Sequence, residues 1–193
     1  MTKYKILDGQ YVEVCGKKLY RIQALKDFAR VKVGDIGGYI ETESNLSQSD
    51  NAWVSGNARV YGDARVSGNA RVYGNAWVYG DARVYGNAWV SGNALVSGDA
   101  RVYGDALVSG NALVSGTRHY LNLGPIGSRD GYTTIYRDKN RKAMVICGCF
   151  SGNLDDFERA VHKTHSGTIY EAEYMVLIQL ARLREKEWLD EVD

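Results

Sequence analysis

The chain has 193 residues, of which 45% are hydrophobic and 24% are charged, and its formal net charge is +1. This composition supports a folded core, and the balanced charge argues against bulk electrostatic attraction to nucleic acid or to membranes. The sequence contains neither a run of eighteen apolar residues nor a cationic start that leads into an apolar signal segment, so we expect a cytoplasmic protein without a membrane partner.

Residues 1–39 are predicted to form an N-terminal β cap. Apolar and polar residues alternate over residues 4–7, 11–15 and 19–25, which is the period of a half-buried strand. Two glycine-containing dipeptides separate these runs and are interpreted as turns: Asp8-Gly9 and Gly16-Lys17. We therefore expect a β-hairpin or small meander that leads into the next segment.

A six-residue phrase repeats through residues 54–116. It reads V-[YS]-G-[ND]-A-[RWL], and valine stands at every sixth position from Val54 to Val114. A helix would need a period of about 3.6 and an extended strand a period of about 2, so the repeat indicates a solenoid of short strands joined by tight corners. Glycine and the Asn or Asp that follows it tolerate the left-handed backbone that such corners require.

The repeat resembles the hexapeptide-repeat family. The resemblance rests on the period, on the aliphatic first position and on the small residue four positions later, as in Val60 and Ala64 or Val78 and Ala82. It implies a left-handed parallel β-helix in which three hexads form one triangular coil. The fold class that we predict is therefore mainly β, with a solenoid between an N-terminal β cap and a C-terminal α+β cap.

The solenoid is predicted to extend over residues 40–116, which gives about four coils. Hexad spacing begins at Ile40, with Ser44 at the small position. The interval from Leu46 to Val54 is eight residues instead of six, so we expect a two-residue bulge between them.

Residues 117–193 are predicted to form an α+β domain that ends in two helices. Three runs read as strands: residues 120–126, 133–137 and 143–150. Asn153 is interpreted as the N-cap of the first helix, and the segment from Thr168 to Glu171 as a capping box that opens the second. The second helix carries an apolar stripe broad enough to pack against two surfaces: Tyr170, Tyr174, Leu177, Ile178, Ala181 and Trp188.

The segments on either side of the repeat carry a second resemblance. The phrase GDIGGYIETESNLSQSDNAWV before it, and GPIGSRDG followed by VICGCFSGNLDDFERAVHKTH after it, resemble hexapeptide-repeat proteins encoded by bacteriophages and prophages. The resemblance implies a phage context, with the cytoplasm of a host cell as the place of action, and it implies no specific chemistry.

One outward column of the predicted solenoid is basic. Residues one coil apart stack on one face, and this face carries a column of cations beside a column of tyrosines. The cations are Arg65, Arg83, Arg101 and His119, and the tyrosines are Tyr85 and Tyr103. Stacked like charges repel, which favours a site for an anion such as a nucleotide phosphate or an acidic protein surface. Alternatively, the arginine heads stay in water, helped by the corner residues Asp63, Asp81 and Asp99.

The other two faces of the predicted solenoid carry an excess of outward apolar residues: Trp53, Trp77, Trp89, Leu95, Leu107 and Leu113. Apolar patches of this kind mark interfaces, and the family resemblance implies trimers around a threefold axis. We therefore predict a homotrimer. The alternative is that the two terminal segments fold back over these residues and cover them.

Few residues of the chain suit catalysis or metal binding. The family resemblance implies acyltransferases with a histidine base, and the repeat core has no histidine, which leaves His119 or His165 for that role. A γ-class carbonic anhydrase needs histidine ligands in the coils, so we reject it. Cys147, Cys149, His162 and His165 form a nominal zinc set. Because Cys-x-Cys spacing is unusual for a structural zinc site, we expect reduced cysteines in a core strand, no metal and no cofactor.

These observations favour a non-enzymatic binding protein of phage type. We expect it to bind or block a host protein or other macromolecule, or to sequester a small anionic, nucleotide-like ligand, and so to inhibit a host defence. Nucleic acid is not the favoured partner, because the net charge is only +1. Two alternatives stay open: an acyl-CoA-dependent acyltransferase of the hexapeptide-repeat family, and a purely structural scaffold.

Overall fold

A computed structural model describes residues 2–191 as a stack of short parallel strands with a cap at each end. The N-terminal cap begins with an antiparallel hairpin formed by β1 (Tyr4–Val14) and β2 (Lys17–Ala24). Strand β3 (Ile36–Ile40) pairs antiparallel with β2 on one side and parallel with the solenoid on the other. The N-terminal cap and one face of the solenoid therefore share a continuous sheet.

One predicted turn in the N-terminal cap is wrong. Asp8-Gly9 lies inside β1, where the pairing with β2 shifts register between Leu7 and Tyr11. The dipeptide is thus part of a β-bulge, which accommodates the glycine without ending the strand. The hairpin turns at Cys15 and Gly16, whose φ angles are +48° and +76°.

The solenoid is built from two-residue strands that each contain one outward residue and one inward valine. In chain order they are β4 (Trp53–Val54), β5 (Arg59–Val60), β6 (Arg65–Val66), β7 (Arg71–Val72), β8 (Trp77–Val78), β9 (Arg83–Val84), β10 (Trp89–Val90), β11 (Leu95–Val96), β12 (Arg101–Val102), β13 (Leu107–Val108) and β14 (Leu113–Val114). Pairing is parallel and joins equivalent residues of successive coils, such as Trp89 with Leu107. The predicted β-solenoid of about four coils is confirmed.

The solenoid has three faces, which differ in their outward residues. The tryptophan face comprises β4, β7, β10 and β13, and the arginine face comprises β6, β9 and β12. The hairpin face comprises β5, β8, β11 and β14 and continues into the N-terminal cap. Inside the stack, the valines and alanines of the repeat are at most 1% exposed and form one core.

The coil next to the N-terminal cap, called the lowest coil, contains the extra residues that the spacing predicts. Ile40 pairs with Val60, and Leu46 with Val66, so both pairs are two residues longer than the regular coil. The bulge before Val54 is therefore confirmed, and it shifts the register of everything that precedes it.

Polar side chains in and near this bulge close the lower end of the stack. The Gln48 side chain accepts the Lys3 backbone N–H at 2.8 Å, and the Asp50 carboxylate accepts the Gly68 N–H at 2.6 Å. The Lys3 ammonium is buried and donates to the Ala52 carbonyl at 2.7 Å. Burial lowers the pKa of Lys3, and the Asp50 carboxylate opposes that decrease.

The predicted small position in the lowest coil is wrong by one residue. A 3-10 turn over Glu43–Asn45 exposes Ser44 and turns Asn45 inward. The Asn45 Nδ2 then donates to the carbonyls of Gly62 and Ala64, at 2.9 Å each. Its amide replaces the backbone donors that a further strand would supply.

The C-terminal domain is an antiparallel sheet with two helices packed on it. Its elements are β15 (Tyr120–Ile126), β16 (Gly131–Arg137), β17 (Ala143–Cys147), β18 (Phe150–Asn153), α1 (Leu154–His165) and α2 (Ile169–Asp190). The run predicted as one strand over residues 143–150 is two strands, because the chain reverses at Gly148, whose φ is +56°. Cys149 is therefore an exposed turn residue instead of a core residue, and Cys147 is half-buried.

Both helix starts follow the predicted capping. The Asn153 Oδ1 accepts the Asp156 N–H at 2.9 Å, and the Thr168 Oγ1 accepts the Glu171 N–H at 3.4 Å. The second half of the capping box is displaced, because the Glu171 carboxylate accepts from the Gly167 N–H at 2.7 Å. Glu171 thereby holds the short connection between the two helices.

The broad apolar stripe of α2 packs on one surface and has a second apolar side in solvent. The buried members are Tyr174, Leu177, Ile178, Ala181 and Trp188, whereas Tyr170 is exposed. The opposite side, called the outer face of α2, is formed by exposed Ile169, Val176, Leu180 and Leu183. Within residues 2–191, no helix combines the length and the apolarity that a membrane span requires.

A pair of glycine substitutions tests how closely the coils approach each other. Gly92 and Gly110 are equivalent corner residues with φ of +66° and +63°, where alanine costs about 1–2 kcal/mol. A Cβ on Gly92 would lie 2.8 Å from the Gly110 nitrogen, whereas a Cβ on Gly110 meets nothing within 4 Å. We expect Gly92→Ala to lower the urea midpoint, followed by circular dichroism, clearly more than Gly110→Ala. Equal losses would contradict this packing.

Candidate anion-binding site

Three arginines lie one above another on the arginine face. The strand register pairs Arg65 with Arg83 and Arg83 with Arg101. Neighbouring strands are about 4.8 Å apart, so the column spans about 10 Å. All three side chains are exposed. In the part of the chain that the structure describes, no carboxylate forms an ion pair with these guanidinium groups.

The corner aspartates do not neutralise this column through close pairs. Asp63, Asp81 and Asp99 each precede one of the three arginines by two positions, yet none of their carboxylates forms an ion pair with a residue in 2–191. The positive charges therefore remain next to one another, which is unfavourable unless an anion compensates them. In the alternative interpretation, in which the guanidinium groups stay in water, only water and dissolved salt would reduce the repulsion between them.

Arginines at the same repeat position on the other two faces are covered by aromatic rings. The Arg59 guanidinium lies 4.6 Å from the ring centre of Trp77, and the Arg71 guanidinium lies 5.7 Å from that of Trp89. A ring face partly compensates a cation and keeps it from solvent. Among residues 2–191, no aromatic ring lies over the three cations of the arginine face, which leaves their guanidinium groups in solvent.

The two tyrosines beside the arginines stack on each other, and the upper one also contacts Tyr120. The rings of Tyr85 and Tyr103 are 5.4 Å apart and nearly parallel, and Tyr103 meets the edge of Tyr120 at 6.1 Å. The Tyr120 hydroxyl donates to the Tyr103 carbonyl at 3.0 Å, and burial raises the pKa of Tyr120, which keeps that donor protonated. The prediction that both tyrosines stack on a ligand is therefore reduced to one open ring face, that of Tyr85 above Ser67.

An open groove of about 400 Å³ runs along the arginine face. The arginine column and Tyr85 form its sides, and Ser67 and Ser47 line it lower down. Sequence reasoning missed Ser47 as a groove residue. The spacing could have identified it, because Ser47 and Ser67 are separated by one coil plus the bulge and are therefore neighbours in the stack. The Ser47 N–H donates to the Val66 carbonyl.

His119 does not extend the arginine column, contrary to the prediction. After Gly116 the chain leaves the coil in a 3-10 turn over Thr117–His119, and the imidazole is buried against the end of α2. Its Nδ1 accepts the Ser115 N–H at 3.2 Å, and its Nε2 lies 2.9 Å from the Glu191 carboxylate. Both ring nitrogens are engaged in structural contacts, so the column has three members.

The second candidate base, His165, belongs to the C-terminal domain. Its ring packs against Tyr170 and Tyr174, at centroid distances of 6.1 Å and 5.6 Å. Neither His119 nor His165 lines the groove on the arginine face. The residues proposed for acyl transfer are therefore not brought to the basic surface.

One of the six apolar residues predicted at an oligomer interface is covered by the N-terminal cap, and the other five keep part of their surface exposed. Trp53 is only 7% exposed, because Phe28 and Tyr4 of the N-terminal cap pack edge-on against its ring. Trp77, Leu95, Leu107 and Leu113 are half-buried, and Trp89 is 39% exposed. The prediction that Trp53 forms a contact between subunits is wrong, because the N-terminal cap of the same chain already covers it.

The nominal zinc set is not assembled. The His162 Nδ1 lies 2.6 Å from the Glu171 carboxylate, and the Cys147 thiol lies 3.7 Å from the Tyr174 hydroxyl. Residues 2–191 contain no group of three or more His, Cys, Asp or Glu side chains arranged for a metal ion.

The repeat matches a known family of solenoid sequences. The family model described as the YdcK beta solenoid repeat matches residues 52–67, 64–80, 76–92, 88–104 and 100–116. These overlapping matches support a β-solenoid repeat over the regular coils, and they do not extend into either cap. A search of curated proteins finds no match to the chain.

Two arginine substitutions compare an arginine of the exposed column, Arg83, with a buried arginine, Arg137. We expect Arg83→Gln to leave the urea midpoint unchanged or raise it at low salt, because it removes repulsion between stacked charges. Arg137 is 5% exposed and donates to the Leu113 carbonyl at 3.1 Å and to the Ser115 hydroxyl at 2.9 Å. Arg137→Gln should therefore lower the free energy of unfolding by about 2 kcal/mol. A comparable loss in both variants would mean that Arg83 supports the fold.

Proposed function

We propose that this chain is a non-enzymatic binding protein that captures an anionic, nucleotide-like ligand on the arginine face. The observation that carries the proposal is the column Arg65, Arg83 and Arg101, held in register with no carboxylate or aromatic ring among residues 2–191 to compensate its charge. Guanidinium groups bind phosphate oxygens through paired hydrogen bonds. A ligand with one or more phosphates would supply the missing negative charge.

The shape of the groove favours a ligand that combines phosphate with a flat ring. The strand spacing of about 4.8 Å places neighbouring guanidinium groups where a diphosphate can bridge them. The open face of Tyr85 can stack on a base, and the Ser67 hydroxyl below it can donate to or accept from ring or sugar atoms. An acidic protein surface would use the same arginines without using Tyr85.

The proposal extends to a biological role in a phage context. The sequence resemblance of the flanking segments to phage and prophage hexapeptide-repeat proteins favours a protein that acts in the cytoplasm of a host cell. A solenoid that sequesters a nucleotide signal, or that binds and covers an acidic host protein, would inhibit a host defence without catalysis. This role is the context of the proposal, and the groove is its physical basis.

Binding of adenosine diphosphate tests the proposed ligand class. By isothermal titration, we expect the diphosphate to bind and adenosine to bind far more weakly. Arg83→Gln should weaken the diphosphate by about tenfold or more, because a charged hydrogen bond is lost. Arg71→Gln is the matched control, since Arg71 occupies the same repeat position on another face. Affinity should also fall as salt is raised.

Several outcomes would contradict the proposal. Equal weakening by Arg71→Gln and Arg83→Gln would show that the diphosphate does not use the arginine face. Turnover of acetyl-CoA with an amine or sugar acceptor would favour the acyltransferase. Absence of binding by nucleotides, by polyphosphate and by acidic peptides would favour the scaffold.

We propose in addition that the chain forms a homotrimer, with the outer face of α2 in the contact. Ile169, Val176 and Leu183 are each more than 60% exposed along one side of the helix, an apolar stripe that a free monomer rarely shows. On the solenoid, Trp89 is the most exposed of the six apolar residues predicted at an interface.

Native mass spectrometry tests the assembly. We expect the unmodified protein to be trimeric at micromolar concentration and Leu183→Glu to be monomeric, because a carboxylate would have to be buried in the contact. Trp89→Ser tests the solenoid surface separately and should leave the trimer intact. A monomeric unmodified protein would overturn the trimer, and dissociation by Trp89→Ser alone would move the contact to the coils.

A further inference from the structure

A second cavity lies where the C-terminal domain meets the solenoid, and the proposed function does not use it. Its volume is about 520 Å³, and Leu107 of the tryptophan face contributes to one side. The other sides come from α1, α2 and the turns around Arg129 and Gly148. Pockets of this size, lined by apolar groups with a few polar ones, are typical of small-molecule sites.

The body of the cavity is aromatic. Phe150 and Phe157 are 5.1 Å apart, and Phe157 meets Tyr174 at 5.6 Å in an edge-to-face arrangement. Tyr132 and Val161 complete the apolar wall. Aromatic side chains in these arrangements bind a further ring by stacking or edge contact. The wall therefore selects a flat, apolar ligand body.

The Tyr174 hydroxyl is fixed between the Gly127 turn and the Cys147 thiol. Gly127 approaches the Tyr174 ring so closely that a Cβ there would lie 2.0 Å from the hydroxyl, and the Gly127 N–H donates to the Glu173 carboxylate at 2.9 Å. Burial raises the pKa of Tyr174, so the phenol remains a neutral donor. The turn and the helix thus hold a hydrogen-bond donor at a defined place in the wall.

The rim of the cavity carries an exposed cation. Arg129 is exposed and forms no ion pair with any residue from 2 to 191. Asp105, an acidic residue, lines the cavity from the solenoid side and accepts a hydrogen bond from the neutral Asn87 amide at 2.8 Å. His165 adds an imidazole to the same rim. An anionic group on a ligand would therefore be attracted to the Arg129 side.

We propose that this cavity binds one small aromatic molecule that carries a carboxylate or sulfonate. The ring lies among Phe150, Phe157 and Tyr132, and the acidic group pairs with Arg129. The Tyr174 hydroxyl donates a hydrogen bond to an acceptor atom on the ligand. The site is separate from the arginine groove, since the two share no lining residue, and it stands or falls independently of nucleotide binding.

Fluorescence titration with 1-anilinonaphthalene-8-sulfonate, an aromatic sulfonate, tests the site. We expect one equivalent to bind per chain. Ala160→Phe, which places a ring in the cavity, should abolish binding, and Arg129→Gln should weaken it about tenfold. Two controls should leave affinity unchanged: Lys163→Gln removes a charge from α1 outside the cavity, and Val33→Gln removes an exposed apolar side chain of the N-terminal cap. Binding that survives Ala160→Phe in a folded variant would overturn the proposal.

A second measurement does not depend on filling the cavity. In a Cys15→Ser, Cys149→Ser variant, Cys147 is the remaining thiol, and it lines the site. Saturating sulfonate probe should slow alkylation of Cys147 by iodoacetamide about tenfold or more, whereas saturating adenosine diphosphate should have no effect. An unchanged alkylation rate with the sulfonate probe would also overturn the proposal.

Discussion

Hydrogen bonds from one coil to the next hold the structure together. On the arginine face, for example, the Arg83 N–H donates to the Ala100 carbonyl at 2.9 Å, and the Tyr85 N–H to the Val102 carbonyl at 3.0 Å. A strand of two residues cannot satisfy its own backbone, so a coil is stable only between neighbours that do so. The backbone and the inward valines and alanines carry the fold, which leaves the outward positions free to differ between faces.

The same dependence makes the two ends of the stack critical. An uncovered end would present unpaired backbone groups to other chains. At the lower end the Asn45 amide takes their place, and at the upper end the Thr134 hydroxyl accepts the Leu107 N–H while Arg137 donates to the Leu113 carbonyl. Side chains therefore supply what a further coil would supply, and the two ends differ chemically.

The period of the repeat was enough to predict the solenoid and its faces, and counting residues from Leu46 to Val54 was enough to predict the bulge. The errors arise where distant segments meet. His119 leaves the column because the chain turns toward α2, and Trp53 is covered by Phe28, which no local pattern indicates. The groove was partly predictable from the arginine spacing, whereas the aromatic cavity needed the packing of the C-terminal domain against the solenoid.

Because each coil is a closed unit, the length of the arginine face is set by copy number. An in-frame duplication of one coil in the gene would add a fourth arginine to the column and about 4.8 Å to the groove, while both caps met the same neighbours as before. The number of positive charges on the arginine face can thus change by recombination between repeats, in steps of one charge. The core would need no new residue types, because each added coil repeats the same inward valine and alanine positions.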